Sequence, residues 1–229
     1  MVLDSATVAG NVGRVLERLG AAAERARRPV GSVRLVAASK TVPPAAVRAA
    51  SEAGIAEFGE NYVQELREKK DAAPGATWHF IGTLQASSAH HLAGLADLVQ
   101  TLVPGKATTR LARRAADVGR TIPSLIEVDF TGERTGVVPD GVEAFADEVV
   151  DLDGLELAGL MTIPPLTASA EDARPYFVRL RALGDRVRDA HPTAVQLSMG
   201  MSLDYEVAVE EGATIVRVGT AIFGERPRA

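Results

Sequence analysis

The sequence contains no cysteine. Disulfides, thiolate zinc sites, iron–sulfur clusters and a cysteine nucleophile are therefore excluded. Long hydrophobic runs are also missing: no segment reaches the ~18 consecutive apolar residues of a membrane-spanning helix. The first residues include Asp4 and no extended apolar stretch, so no secretory signal is expected. Positive charge is in short supply. The formal net charge is −5, which argues against a surface that neutralises nucleic-acid phosphates. The one basic run, "ERARR" at 24–28, reads as the end of a solvated helix. These absences lead us to expect a soluble, cytoplasmic α/β protein with no nucleic-acid or membrane partner.

Lysine is scarce as well. Of 25 basic residues only four are lysines, Lys40, Lys69, Lys70 and Lys106; the other 21 are arginines. Lys40 closes the stretch "RLVAASK", just beyond an apolar strand and just before Pro43 and Pro44. An ammonium can lose its proton and act as a nucleophile, whereas a guanidinium stays protonated. A lysine at this point, in a chain that prefers arginine, is a candidate for chemistry.

The 229 residues are 46% hydrophobic, enough for a sizeable core. Short apolar runs at 34–38, 56–58, 77–81, 98–102, 124–130, 156–161, 194–199 and 214–218 read as strands. Amphipathic stretches at 43–53, 61–72, 87–93, 105–118, 142–152, 170–190 and 204–210 read as the intervening helices, with a further helix ahead of the first strand at 5–28. Eight strand–helix units at this spacing predict parallel βαβ connections and a (β/α)8 TIM barrel rather than an open sheet. No composition shift marks a linker. We expect one domain over 1–229, its N-terminal helix at about 5–28 and its barrel at about 33–226. The least regular stretch, 162–175, has the length of loops that often carry function.

In such a barrel the site lies at the carboxyl ends of the strands. The polar residues expected there are Lys40 after the first strand, Glu60 and Asn61 in "GENYVQE", and Gln85 in "GTLQ". The last two strands end in "SMGMS" and "VGTAIFGE". Ser198, Gly200 and Ser202, with the backbone of Gly219 and Thr220, could form an anion site, since phosphate sites after strands seven and eight recur in barrels. A phosphate site and a poised lysine in one mouth suggest pyridoxal 5′-phosphate (PLP) held through a Schiff base on Lys40. Arg217 would then point inward from strand eight toward the ring. His79 is expected to be a satisfied buried histidine. Adjacent His90 and His91 would diverge on a helix and make a poor metal pair. No metal site and no Ser–His–Asp arrangement stands out.

The motifs "LVAASKT", "FGENYVQE", "WHFIGTLQ", "GLMTIPP" and "LSMGMSLDYEVAVEEGATIVRVGTAIFGER" together resemble the pyridoxal phosphate homeostasis protein family, related in fold to the N-terminal barrel of alanine racemase. The resemblance runs from about 34 to 226. It implies a single fold-type-III barrel holding PLP on Lys40. Ser202, Gly219 and Thr220 would take the phosphate, with Ser198 nearby, Arg217 would face the pyridine nitrogen, and Asn61 would line the pocket. It also implies a role in PLP supply, with PLP-dependent apo-enzymes as candidate recipients. The chain departs from the family pattern where accessory lysines are usual. "SKTKP" reads "SKTVP" with Val42; Gln85 is followed by Ala86, Ser87 and Ser88; and the later lysine of the "KxG" motif is Arg134, before Thr135 and Gly136. A second PLP site or a lysine relay is therefore not expected.

Two other readings stay open on the sequence. One is a PLP-dependent racemase or decarboxylase-like enzyme; the other is a barrel binding a phosphorylated metabolite non-covalently. Racemases of this fold use a second domain, and through a dimer a tyrosine base, and neither is expected here. The sequence therefore favours a monomeric carrier with no catalytic residue.

Overall fold

The computed structural model describes residues 4–166 and 168–225. Eight parallel strands close into a barrel in chain order: β1 (Arg34–Ala38), β2 (Glu57–Glu60), β3 (Thr77–Phe80), β4 (Leu98–Leu102), β5 (Ile122–Val128), β6 (Leu155–Thr162), β7 (Gln196–Ser198) and β8 (Ile215–Val218). Closure is by β1 on β8, with Arg34 opposite Ile215 and Val36 opposite Arg217. The expected TIM barrel is the observed one. Arg226, where the barrel was expected to end, lies outside the described residues.

Nine α-helices are described: α1 (Ser5–Arg25), α2 (Pro44–Glu52), α3 (Val63–Lys69), α4 (Ala89–Leu95), α5 (Lys106–Asp117), α6 (Val142–Val150), α7 (Arg174–Ala190), α8 (Tyr205–Glu210) and α9 (Thr220–Phe223). Asp4 caps α1 by accepting the Thr7 N–H at 2.8 Å. The helix buries Val8, Val12, Val15, Leu19, Ala22 and Ala23, a stripe at the spacing of one helical face. Its basic end is not simply solvated. Arg25 reaches Glu206 and Glu210 on α8, both at 3.0 Å, and half-buried Arg28 donates to the Val209 carbonyl. The run "ERARR" therefore docks α1 against α8.

Some boundaries differ from the sequence reading for local reasons. The stretch 61–72 divides into α3 and a tighter 3₁₀ turn, Lys70–Ala72. Strand β5 ends at Val128 because the Asp129 carboxylate takes the N–H groups of Thr131 and Arg134, turning the chain out of the sheet. The loop after β6 contains a 3₁₀ turn, Glu171–Ala173, before α7 begins.

The strands separate two apolar regions. Inside the barrel, Val36, Leu98, Leu125, Ala158, Met161 and Ile215 form a small cluster. The larger core lies between strands and helices and includes Phe58 stacked on Trp78, ring centroids 5.2 Å apart. Because side chains alternate along a strand, Ile215 and Arg217 point into the barrel, while Val216 and Val218 meet the helices. The apolar cluster shares the interior with buried polar side chains, His79, Gln100, Ser198 and Arg217 among them. No helix among the described residues is long and apolar enough to cross a membrane.

Candidate functional site

Lys40 follows β1 by two residues and is half-buried at the carboxyl end of the barrel. It lines a cavity of about 350 Å³ together with Asn61, Gly82, Thr83, Thr101 and Glu127, and Arg134 and Thr135 complete the wall on the β5 side. A volume of this order suits a small cofactor. A larger cavity of about 710 Å³ adjoins it, sharing Asn61 and Thr83 and extending over Tyr62, Gln85 and Ser88.

Close backbone packing shapes the wall. A Cβ placed on Gly82 would lie 2.1 Å from the Asn61 carbonyl oxygen, so only glycine lets β3 pass this near the loop after β2. The Gly82 carbonyl in turn accepts the Thr101 hydroxyl at 2.6 Å. Asn61 is fixed by its backbone, yet its buried Oδ1 has no hydrogen-bond partner in the protein. An orphaned acceptor at the edge of a cavity suits a ligand that donates a hydrogen bond there.

Electrostatics come from below and beside the cavity. Arg217 is buried; Nη1 donates to Ser198 Oγ at 2.5 Å and Nη2 to the Thr162 carbonyl at 2.9 Å. Burial pulls its pKa down to about 10, with Glu127 and Asp204 pulling the other way, so it stays cationic at neutral pH. Burial pushes the Glu127 carboxyl up, opposed by the charges of Arg217 and Arg134. Burial also tends to raise Asp129, but the hydrogen bonds from Thr131 and Arg134 outweigh it and hold that group low.

A directional chain of hydrogen bonds runs from Arg217 to the opposite end of the barrel. The Glu57 carboxylate can only accept, so the His79 ring at 2.9 Å must carry its proton on Nε2. His79 Nδ1 is then an acceptor and takes the Gln100 amide N–H at 2.8 Å. Gln100 Oε1 accepts the Ser198 hydroxyl at 2.6 Å, and Ser198 Oγ accepts from Arg217. Arg34 closes the lower end on Glu57 at 2.8 Å. His79 is the satisfied buried histidine expected, and burial lowers its pKa despite Glu57. Ser198, expected beside a phosphate, is placed in this chain instead.

The other expected anion residues do meet. The N–H groups of Gly219 and Ala221 both donate to Ser202 Oγ at 3.2 Å, and Thr220 between them begins α9. Gly200 lets α8 sit close by: φ is +93°, and a Cβ there would fall 2.5 Å from that of Ala208. The structure therefore gathers Ser202, Gly219 and Thr220 at one place, Lys40 and Asn61 at another, and Arg217 with Ser198 inside the barrel. Glu60 is fully buried in an ion pair with Lys69 rather than exposed to the cavity. His90 and His91 do not diverge as expected: at the start of α4 their rings meet, tilted by 41° with centroids 3.7 Å apart. The described residues contain no cluster of metal-binding side chains.

The sequence reading missed Thr101, Glu127 and Gln100. Glu127 was findable from the alternation in "SLIEV", which turns that residue inward with Leu125. Nothing local distinguishes Gln100, whose partners His79 and Ser198 lie 21 and 98 residues away.

Residues 14–227 match the family model described as alanine racemase, N-terminal domain. The chain is 43% identical over 220 residues to the pyridoxal phosphate homeostasis protein of Aquifex aeolicus, covering 94% of this chain and 96% of that one. It is 39% identical to the protein of the same name from Pseudomonas aeruginosa, covering 96% of each. Among solved structures, an unknown protein from Bifidobacterium adolescentis superposes with a TM-score of 0.90 at 34% identity, over 97% of this chain and 98% of that one. PipY of Synechococcus elongatus, with PLP bound, gives 0.80 at 35% identity, over 92% and 100%. Alanine racemase of Corynebacterium glutamicum gives 0.75 at 16% identity, covering all of this chain and 63% of that one, a likeness of fold alone.

Proposed function

Because this chain belongs to the alanine racemase N-terminal domain family, and within it to the pyridoxal phosphate homeostasis proteins, we propose that it binds PLP in the barrel mouth and serves in PLP homeostasis. The observation that carries this reading is the cavity of about 350 Å³ onto which Lys40 opens, bounded by the orphaned Oδ1 of Asn61. The donor set fits the group: an amine for the aldehyde, Asn61 for a hydroxyl, and the Ser202 hydroxyl, whose oxygen takes the Gly219 and Ala221 N–H groups and whose proton is left to donate, for a phosphate.

Lys40 would hold the cofactor through its side-chain amine, the one nucleophilic nitrogen on the cavity wall beside Asn61 and Glu127. PLP supplies an electrophilic aldehyde and a ring that can accept electrons. Ser202, Gly219 and Thr220 bind the phosphate, and Asn61 orients the ring from the side. Arg217, cationic at neutral pH, would present a charged donor to the pyridine nitrogen. A guanidinium holds its proton more tightly than a pyridine does, so the ring would stay a weak electron sink there. Ser198 holds Arg217 in place.

This set supports holding the cofactor over turning substrate, so the chain acts without appreciable catalysis. Among the described residues no tyrosine lines the cavity beside Lys40; Tyr62 borders the adjoining one, and Tyr205 is buried under Arg18. As a single-domain monomer in the cytoplasm, it would supply PLP to PLP-dependent apo-enzymes.

The test is spectroscopic. Purified protein mixed with PLP should gain a visible absorbance band that borohydride bleaches. Mass spectrometry should place the reduced adduct on Lys40, and Lys40→Ala should stay colourless. A colourless wild type would overturn the reading in favour of a non-covalent phosphate ligand. Rapid Lys40-dependent α-proton exchange of alanine in deuterated buffer would overturn the non-catalytic part.

A further inference from the structure

The two residues that flank Lys40 are held by a buried ion cluster to which the proposed function assigns no part. Lys69, the last residue of α3, donates to the Ser39 carbonyl at 2.7 Å, to Glu60 Oε1 at 2.7 Å and to Glu65 Oε2 at 2.5 Å. Those three acceptors use all three protons of its ammonium. The same carboxylates grip the turn directly. Glu60 Oε1 accepts the Ser39 hydroxyl at 2.7 Å, and Glu65 Oε2 accepts the Thr41 N–H at 2.7 Å. The side chains of Lys69 and Glu60 are 4% and 0% exposed, so solvent does little to screen the pair.

The turn needs holding. Thr41 has φ +62°, in the left-handed region, where a β-branched residue is a strained outlier that persists only if its surroundings over-determine it. The strain sits on the residue next to the proposed cofactor lysine. We propose that Lys69 is a positioning residue that, through Glu60 and Glu65, locks residues 39–41 in this conformation and so fixes where the Lys40 amine meets the aldehyde. This rests on Lys40 being the PLP lysine.

The inference also accounts for a second lysine in an arginine-rich chain. Here the requirement is a compact, three-proton point charge between closely spaced acceptors, a task for which the planar fork of arginine is unsuited. Burial pushes Glu60 upward against the influence of Lys69 and Ser39. Removing Lys69 outright would strand the buried Glu60 carboxylate and endanger folding. The conservative and peripheral variants are therefore the informative ones.

The experiment compares rates of visible-band formation with PLP for the wild type, Lys69→Arg, Glu65→Ala and Thr41→Gly, and for Lys69→Arg and Glu65→Ala each combined with Thr41→Gly. Thr41→Gly removes the strain at its source, because glycine adopts positive φ without a steric penalty. Lys69→Arg and Glu65→Ala should each load PLP roughly tenfold or more slowly, as misplacement of a reacting group does. In the Thr41→Gly background, Lys69→Arg and Glu65→Ala should each lose most of their effect on the rate. Glu65 is a quarter exposed, so Glu65→Ala keeps the test available if Lys69→Arg fails to fold. A coloured wild type with Glu65→Ala loading at the same rate overturns the positioning role alone. So does a defect that Thr41→Gly leaves uncorrected, since the cluster would then act by some means other than the turn. A colourless wild type overturns the PLP reading beneath it.

Discussion

Arg217 Nη1 lies 2.5 Å from Ser198 Oγ, and Ser198 in turn donates to Gln100, which donates to His79. The guanidinium at the mouth is therefore anchored through the barrel interior to the Glu57–Arg34 pair at the other end. Every donor in the chain has its direction set by an acceptor-only carboxylate at one end and a donor-only guanidinium at the other. Removing a link leaves buried partners unpaired on both sides.

Ser198→Ala should therefore destabilise the fold by about 1–3 kcal/mol, the usual penalty for unpaired buried polar groups. Gln100→Leu should cost a similar amount. Because both act on one chain, the double variant should cost clearly less than the two single effects combined. Urea unfolding of the four proteins gives the cycle. Strict additivity would mean that the bonds are energetically independent. If Arg217 faces the cofactor ring, Ser198→Ala should also shift the PLP absorbance band, while Gly94→Ala on α4 should not.

His79 gives the same chain a pH dependence. Burial sets its pKa below the ordinary value near 6.5, outweighing the pull of Glu57. Between that lowered value and about 6.5 the unfolded chain binds a proton that the folded protein does not. Stability should then be full above this window and fall as pH drops through it, by up to about 1.4 kcal/mol per pH unit. The paired carboxylate Glu57, held below its ordinary range by His79 and Arg34 although burial opposes this, adds a loss at lower pH. Denaturant midpoints from pH 8 to 5 should show the decline, and His79→Gln should flatten the part near pH 6. An unchanged slope in that variant would assign the proton elsewhere.

Much of this architecture is legible in the sequence because local rules and the global fold agree. Strand β4 is recovered at Leu98–Leu102, and β1 at Arg34–Ala38, because each is a short, mostly apolar run between helical stretches. Lys40 and Asn61 are expected at one mouth from their place after strands, and both line the same cavity. What stayed illegible depends on distant partners. Lys69 reads as an ordinary last-turn lysine until folding brings Ser39, 30 residues earlier, against it. Ser198 reads as part of a phosphate loop until Gln100 approaches from the other side of the barrel. Helix α9 spans four residues, too few to display a period.

Two glycine-to-alanine changes should move stability in opposite directions. Gly94 is exposed on α4, with nothing within 4 Å of an added Cβ, so alanine there should stabilise by about 0.5–1 kcal/mol. At Gly82 the new Cβ would meet the Asn61 carbonyl at 2.1 Å. Backbone has to move, costing at least about 1–3 kcal/mol, and the movement displaces Asn61 from the cavity. Gly82→Ala should lower the thermal midpoint and weaken PLP binding together. Tight binding in this variant would show that the Asn61 loop need not hold its position.

Asn61 separates holding a ligand from holding the fold. Its Oδ1 is buried without a protein partner, an arrangement that destabilises the ligand-free protein. Asn61→Leu removes the unsatisfied acceptor and adds apolar surface beside Phe80 and Ile81 on the cavity walls. The ligand-free variant should therefore be as stable as the wild type or slightly more so, as expected where a binding site is maintained at the expense of stability. Its affinity for PLP should fall by roughly tenfold, the equivalent of one hydrogen bond of about 1.4 kcal/mol. The stabilisation that PLP confers on the wild type should shrink to match. Thermal melts with and without PLP, beside a spectroscopic titration, measure all three. Equal losses of stability with and without PLP would make Asn61 a structural residue instead.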